Sequence, residues 1–242
     1  MKVSPIIQKI VSHTPYLGAN EAQGAQPVYA SIAKSDKAQI STINRALDEL
    51  SKVEFAQNDL LYVQTLGANP PFKSGLEATN WIKQNNAKIM YASFSNPNVH
   101  ACLNYNEKDG FLILINQNYE HECSQPDVLA ISEAIFHECG HGKDKDVNNS
   151  IQEELDCMSL NVLAHRFYEK KYPKVFENEN SFLFSQGVSL YPKLFWEFDL
   201  KKQSLKNRIA DKYGYLQTAD NKHPATKLAS DIKDTYESGT FI

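Results

Sequence analysis

The chain predicts an α+β fold: a small mixed sheet packed on a helix that carries a His-Glu-x-x-His motif and on a second, glutamate-bearing helix, with a helical C-terminal part. Three observations predict it. Strand-like and helix-like segments are interleaved ahead of the motif, two helix-length segments then follow one another, and beyond Pro173 the chain is helical and aromatic. At 242 residues it is long enough to bury a core without disulfide or metal staples. The expected division is a loosely ordered N-terminal arm over 1–36, the main domain over 37–172 and a helical subdomain over 173–242 that covers the site.

The formal net charge of −4, with acids and bases mixed, gives neither a nucleic-acid footprint nor a polybasic membrane patch. No CxxC pair occurs among Cys102, Cys123, Cys139 and Cys157, which reads as buried thiols in a reducing compartment. The N-terminus, interrupted by Gln8 and Lys9, lacks a signal-peptide apolar core, and no stretch approaches the roughly 20 apolar residues of a membrane span. A cytoplasmic protein is expected, and a secreted effector using a non-Sec route would have the same composition. Oligomeric state leaves no mark in the sequence.

Residues 1–36 mix Pro, Gly, Gln, Ala and Ser without periodicity. From Ala38, the positions Ile40, Ile43, Leu47, Leu50 and Phe55 recur at helical spacing. Leu60 to Leu66 reads as a strand stopped by Gly67, and Ser74-Gly75-Leu76-Glu77 as a capping box that opens a helix through Ile82. Lys88 to Phe94 is a strand candidate. Val99–Tyr105 and Phe111–Ile115 flank the turn-rich Asn106-Glu107-Lys108-Asp109-Gly110 as a hairpin. Ser124-Gln125-Pro126-Asp127 opens an amphipathic helix with a cap, a first-turn proline and an acid at the favourable end of the dipole. That helix runs into His137-Glu138-Cys139-Gly140-His141, where Gly140 and Gly142 are expected to loosen and end it. A further helix extends from about Ile151 to Lys170.

Two histidines four residues apart stack on one helix face, within reach of a single metal ion, and leave Glu138 beside a metal-polarised water. A hydrolytic zinc site takes three protein ligands and keeps one position open. His137 and His141 supply two, and the third is expected from Ser150-Ile151-Gln152-Glu153-Glu154-Leu155-Asp156-Cys157. Glu153 is the first choice, because Asp156 and Cys157 follow it at three and four residues on nearly the same face, and Glu154 is its rival, taking the role if Ser150 and Glu153 instead form a capping box.

A His-Glu-x-x-His helix followed by a helix bearing Glu and then an acidic residue resembles the gluzincin class of zinc metallopeptidases. The resemblance implies a zincin-like fold, bound Zn2+, a peptide or protein substrate, and an acidic residue about one turn after the ligand that holds a ligand histidine. On this chain that places Asp156 and Cys157 near the ligands. The family's acidic position, four after the ligand, is Cys157 if Glu153 binds. A second segment, Asp220-Asn221-Lys222-His223-Pro224-Ala225-Thr226-Lys227-Leu228, looks like the C-terminal His-Pro loop of the heat-shock and CAAX-prenyl proteases, without their membrane spans. By that likeness His223 steadies an oxyanion or contacts substrate; without it, His223 is a helix-start residue before Pro224. Tyr213 and Tyr215 are further oxyanion candidates. Glu138 is then the general base and acid, and the Phe111–Ile115 strand the cleft edge that pairs with an extended substrate.

Two alternatives stand beside the peptidase. One is a zinc-stabilised interaction or sensor module without catalysis. In the other, His100-Ala101-Cys102-Leu103-Asn104 ahead of the motif resembles peptide deformylase and makes Cys102 the third ligand.

Overall fold

One helix, α4 (Gln125–Lys143), packs against three other helices and three strands of the sheet. In this computed structural model the described residues are 7–9, 16–17, 29–32, 37–94, 99–106, 110–120, 124–143 and 151–177. They form a mixed α and β structure. Every residue of α4 from Asp127 to Gly142 is buried, so it is a central helix rather than the amphipathic one expected. Its polar side chains are therefore held in the interior and must find partners there. The Ser124 hydroxyl caps the Asp127 amide, as the opener predicts, and pairs with the Asp127 carboxylate.

The helix continues through both glycines to Lys143, and their role is proximity rather than termination. A Cβ on Gly140 would lie 2.7 Å from Cys157 Sγ, and one on Gly142 would lie 2.3 Å from the Trp81 ring. Neighbouring elements therefore approach closer than any side chain would allow. Lys143 pairs with Glu77 at 2.8 Å and sits over the Phe72 ring, fastening the end of α4.

Three strands form the centre of the sheet: β4 (Lys88–Phe94), β5 (Val99–Asn106) and β6 (Gly110–Asn116). β5 and β6 make the expected hairpin, in register from Ala101 opposite Ile115 to Asn106 opposite Gly110, and β4 runs parallel to β6. Leu112, Ile113, Leu114 and Ile115 are all buried, as befits a strand covered on both faces. β6 lies between β4 and β5 in the order β1-β3-β4-β6-β5-β2, with β1 (Ile7–Lys9), β2 (Tyr16–Leu17) and β3 (Tyr29–Ile32) extending the sheet. Both backbone sides of β6 are taken, so the Phe111–Ile115 strand is not the cleft edge. Within the stretch read as a loosely ordered arm, the described residues form β1, β2 and β3, whose described lengths are too short to show an alternation.

The helices α1 (Lys37–Ser51) and α3 (Gly75–Gln84) occur as their patterns predict. Ile43, Ala46 and Leu50 face inward, and the Ser74 hydroxyl accepts from the Glu77 amide. Leu60–Leu66 is a different matter: it lies in and at the end of α2 (Gln57–Thr65), not in a strand. The reason is at its end. Gly67, at φ +88°, donates to Gln64 O while Ala68 donates to Val63 O, the paired bonds of a Schellman stop. α5 (Ile151–Lys171) packs along α4, and α6 (Pro173–Phe176) closes the described chain. Among the described residues no helix is long and apolar enough to cross a membrane. The aromatic stretch after Glu177, with Tyr213, Tyr215 and His223, lies outside them.

Candidate metal centre

The i, i+4 spacing on α4 stacks His137 and His141 with ring centroids 5.0 Å apart and Nε2 atoms 3.2 Å apart. From α5 the Glu154 carboxylate meets them, at 3.4 Å from His141 Nε2 and 3.8 Å from His137 Nε2. One ligand atom from each of the three lies within 4.8 Å of the others, and all three side chains are fully buried. That separation suits donors gathered around one cation.

The far side of each ring is fixed. His137 Nδ1 lies 2.8 Å from Asn161 Oδ1, and the Asn161 amide nitrogen donates to the Glu133 carbonyl at 3.0 Å. An amide whose nitrogen is occupied in donating presents its oxygen to the ring, so His137 donates from Nδ1 and keeps a lone pair on Nε2. His141 Nδ1 is likewise 2.6 Å from Glu153 Oε1. Each ring thus has an oxygen partner behind its Nδ1, the arrangement that turns Nε2 toward the shared space.

This geometry separates the two candidate glutamates. Glu154 stands with the imidazole Nε2 atoms, and Glu153 is taken up behind His141. Asp156 is engaged away from this group. It accepts from the Asn69 amide at 2.7 Å and from Gln152 Nε2 at 2.6 Å, tying α5 to the segment after α2. At about 100° per residue it lies roughly 200° around the helix from Glu154, whereas Asn161, two turns on, returns to the same face. Asn161 is the residue that sequence reasoning missed; its signal was a lone amide within Leu160-Asn161-Val162-Leu163, seven after Glu154. Cys157 does touch the site by a hydrogen bond with His141, as a thiol that burial pushes up to about 12. Cys102, opposite Leu114 in β5, is not part of the three-residue group.

Glu138 is fully buried, and the Leu103 backbone amide faces its carboxylate without closing a hydrogen bond of ordinary geometry. Burial above all pushes its carboxyl up to about 8; Glu154 and Glu153 add to this, while His141 and the facing backbone amide of Leu103 pull the other way. Burial works against a charged His141, but Cys157, Glu154 and Glu153 outweigh it and raise that imidazole well above its usual range. Three buried carboxylates around two imidazoles call for positive charge, and a divalent cation answers that need better than protons do. Two imidazole nitrogens with one carboxylate fit the donor set of an open zinc site.

One turn before His137, Glu133 is also buried, with His165 Nδ1 at 3.3 Å from its Oε1, and Ser132 pairs with Tyr168 at 2.5 Å. These contacts satisfy part of the polar face where α4 meets α5. No protein-family model, curated protein or solved structure matches the chain. What distinguishes its described part is a buried group, His137, His141 and Glu154, that could hold a metal ion.

Proposed function

We propose that this chain is a zinc-dependent metallopeptidase of gluzincin type with a zincin-like fold, in which His137, His141 and Glu154 hold the metal and Glu138 is the general base and acid. The observation that carries the reading is the convergence of two Nε2 lone pairs and one carboxylate, each ring backed by an oxygen, beside a glutamate that is not used as a ligand. When bound, zinc supplies a Lewis acid that polarises a carbonyl and lowers the pKa of water. Glu138 accepts the proton from the attacking water and returns it to the leaving amine. Asn161 and Glu153 keep the two imidazoles facing inward, and the Leu103 amide steadies the Glu138 carboxylate on its β5 side.

Complete burial of all three ligands and of Glu138 favours a second reading, a non-catalytic module in which zinc only ties α4 to α5. One comparison separates the two. Metal content by elemental analysis should be equal in the parent and Glu138→Gln, while cleavage of a peptide library falls by about 10²–10⁴-fold in the variant. A variant that cleaves like the parent would sink the peptidase, and zinc retention without cleavage by either protein, including after the Tyr16–Leu17 strand is released, would favour the module.

A further inference from the structure

An extended peptide is most simply held by backbone pairing along a sheet edge, and near Glu138 that edge belongs to β5. β5 packs on α4 with β6 along one of its backbone sides, and its Leu103 amide faces the Glu138 carboxylate. Backbone groups of alternate residues in a strand point to the same side, so Ala101 and Val99 present theirs on the side that Leu103 does. That side is occupied. β2 pairs there antiparallel, with Tyr16 opposite Ala101 and Leu17 opposite Val99.

We infer that the Tyr16–Leu17 strand is a built-in competitor for the substrate: it holds the β5 edge that an extended peptide would use, two residues from Leu103, and hydrolysis requires its displacement. The inference rests on the peptidase reading above. The pairing is made to yield. Its described part, Tyr16 and Leu17, has a register shift between the two residues, and in sequence it is flanked by Pro15 and Gly18, both poor strand formers. A strand of that kind covers a backbone edge without closing it permanently, and it lowers the apparent affinity for a peptide by the fraction of time it is seated.

The test uses the full-length, zinc-loaded protein. Tyr16→Pro removes the backbone donor opposite Ala101, and kcat/KM on a cleavable peptide should rise about tenfold at unchanged zinc content. A synthetic peptide of residues 12–19 should then slow the variant, and a scrambled peptide should not. If parent and Tyr16→Pro cleave at the same rate while Glu138→Gln abolishes cleavage, the competitor role is wrong and the peptidase stands. If Glu138→Gln leaves cleavage unchanged, the peptidase reading fails and takes the competitor with it. Should Tyr16→Pro lose zinc or fold poorly, a specific protease site placed within residues 20–26 and cut after folding gives the same comparison: faster cleavage supports the inference and an unchanged rate overturns it.

Discussion

At the scale of single residues, the centre assigns different work to adjacent glutamates. Glu154 faces the Nε2 atoms and Glu153 stands behind His141, so their removal should differ in kind. Glu154→Gln is expected to abolish stoichiometric zinc binding. Glu153→Gln and Asn161→Leu should each weaken it by about 10–100-fold, the usual cost of losing a partner behind a ligand histidine. Competition with a chromophoric chelator measures all three, and equal losses for Glu153→Gln and Glu154→Gln would contradict the geometry. The two histidines and Glu138 could be read from their spacing alone. The choice between Glu153 and Glu154 could not, because adjacent helix positions differ by about 100°, and only the placement of α5 against α4 decides which one faces inward. Asn161 was hidden for a related reason: its partner, His137, lies 24 residues earlier on another helix.

At the scale of elements, the close contacts of α4 make its glycines sensitive. Trp81 is held edge-on against Phe111 at 4.9 Å and against Phe72 at 6.5 Å, so it cannot retreat from a Cβ on Gly142. Gly142→Ala should therefore cost about 1–3 kcal/mol despite alanine's better helix propensity, visible as a lower Tm. Gly140→Ala should cost a similar amount and also weaken zinc binding, since it presses on Cys157 and Leu160 of the helix that carries Glu154. A Gly140→Ala protein with unchanged Tm and metal affinity would show that α5 can shift freely. Long or capped elements were legible in the sequence: α1, α3, α5, the β5–β6 hairpin and the start of α4. The α2 segment was misread because Leu60, Leu61, Val63 and Leu66 form an apolar run whose length fits a strand, and its Schellman stop depends on the backbone angle of Gly67. The position of β6 inside the sheet was equally invisible, since strand order is set by long-range pairing.

At the scale of the whole molecule, the buried acids couple stability to metal and pH. Without a cation, the folded state holds the Glu138 proton up to about pH 8, whereas the unfolded chain releases it near the ordinary value of 4.5. The unfolded state therefore binds fewer protons between those values, and stability falls as pH rises through that window. His141 acts in the same direction: its raised pKa gives stability that is present below 6.5 and lost as pH rises through its folded value. On the proposed reading, zinc would compete with the same protons, so its affinity would grow with pH. The Tm of chelator-treated protein should fall from pH 5 to pH 8, and the gap between zinc-loaded and stripped protein should widen. At a thousandfold excess of free zinc over Kd the gap corresponds to about 4 kcal/mol. Thermal melts at four pH values check this, and a gap that narrows with rising pH would refute it.

The placement of the ligands on successive helices also bears on how the chain reaches its folded state. Glu154 follows His137 by only 17 residues, so a metal can join α4 to α5 before the sheet has assembled, at the modest entropy of closing a short loop. Zinc would then act as a folding nucleus as well as a stabiliser. Stopped-flow refolding should be faster with zinc present from the start than with zinc added after folding begins. Glu154→Gln should remove the difference.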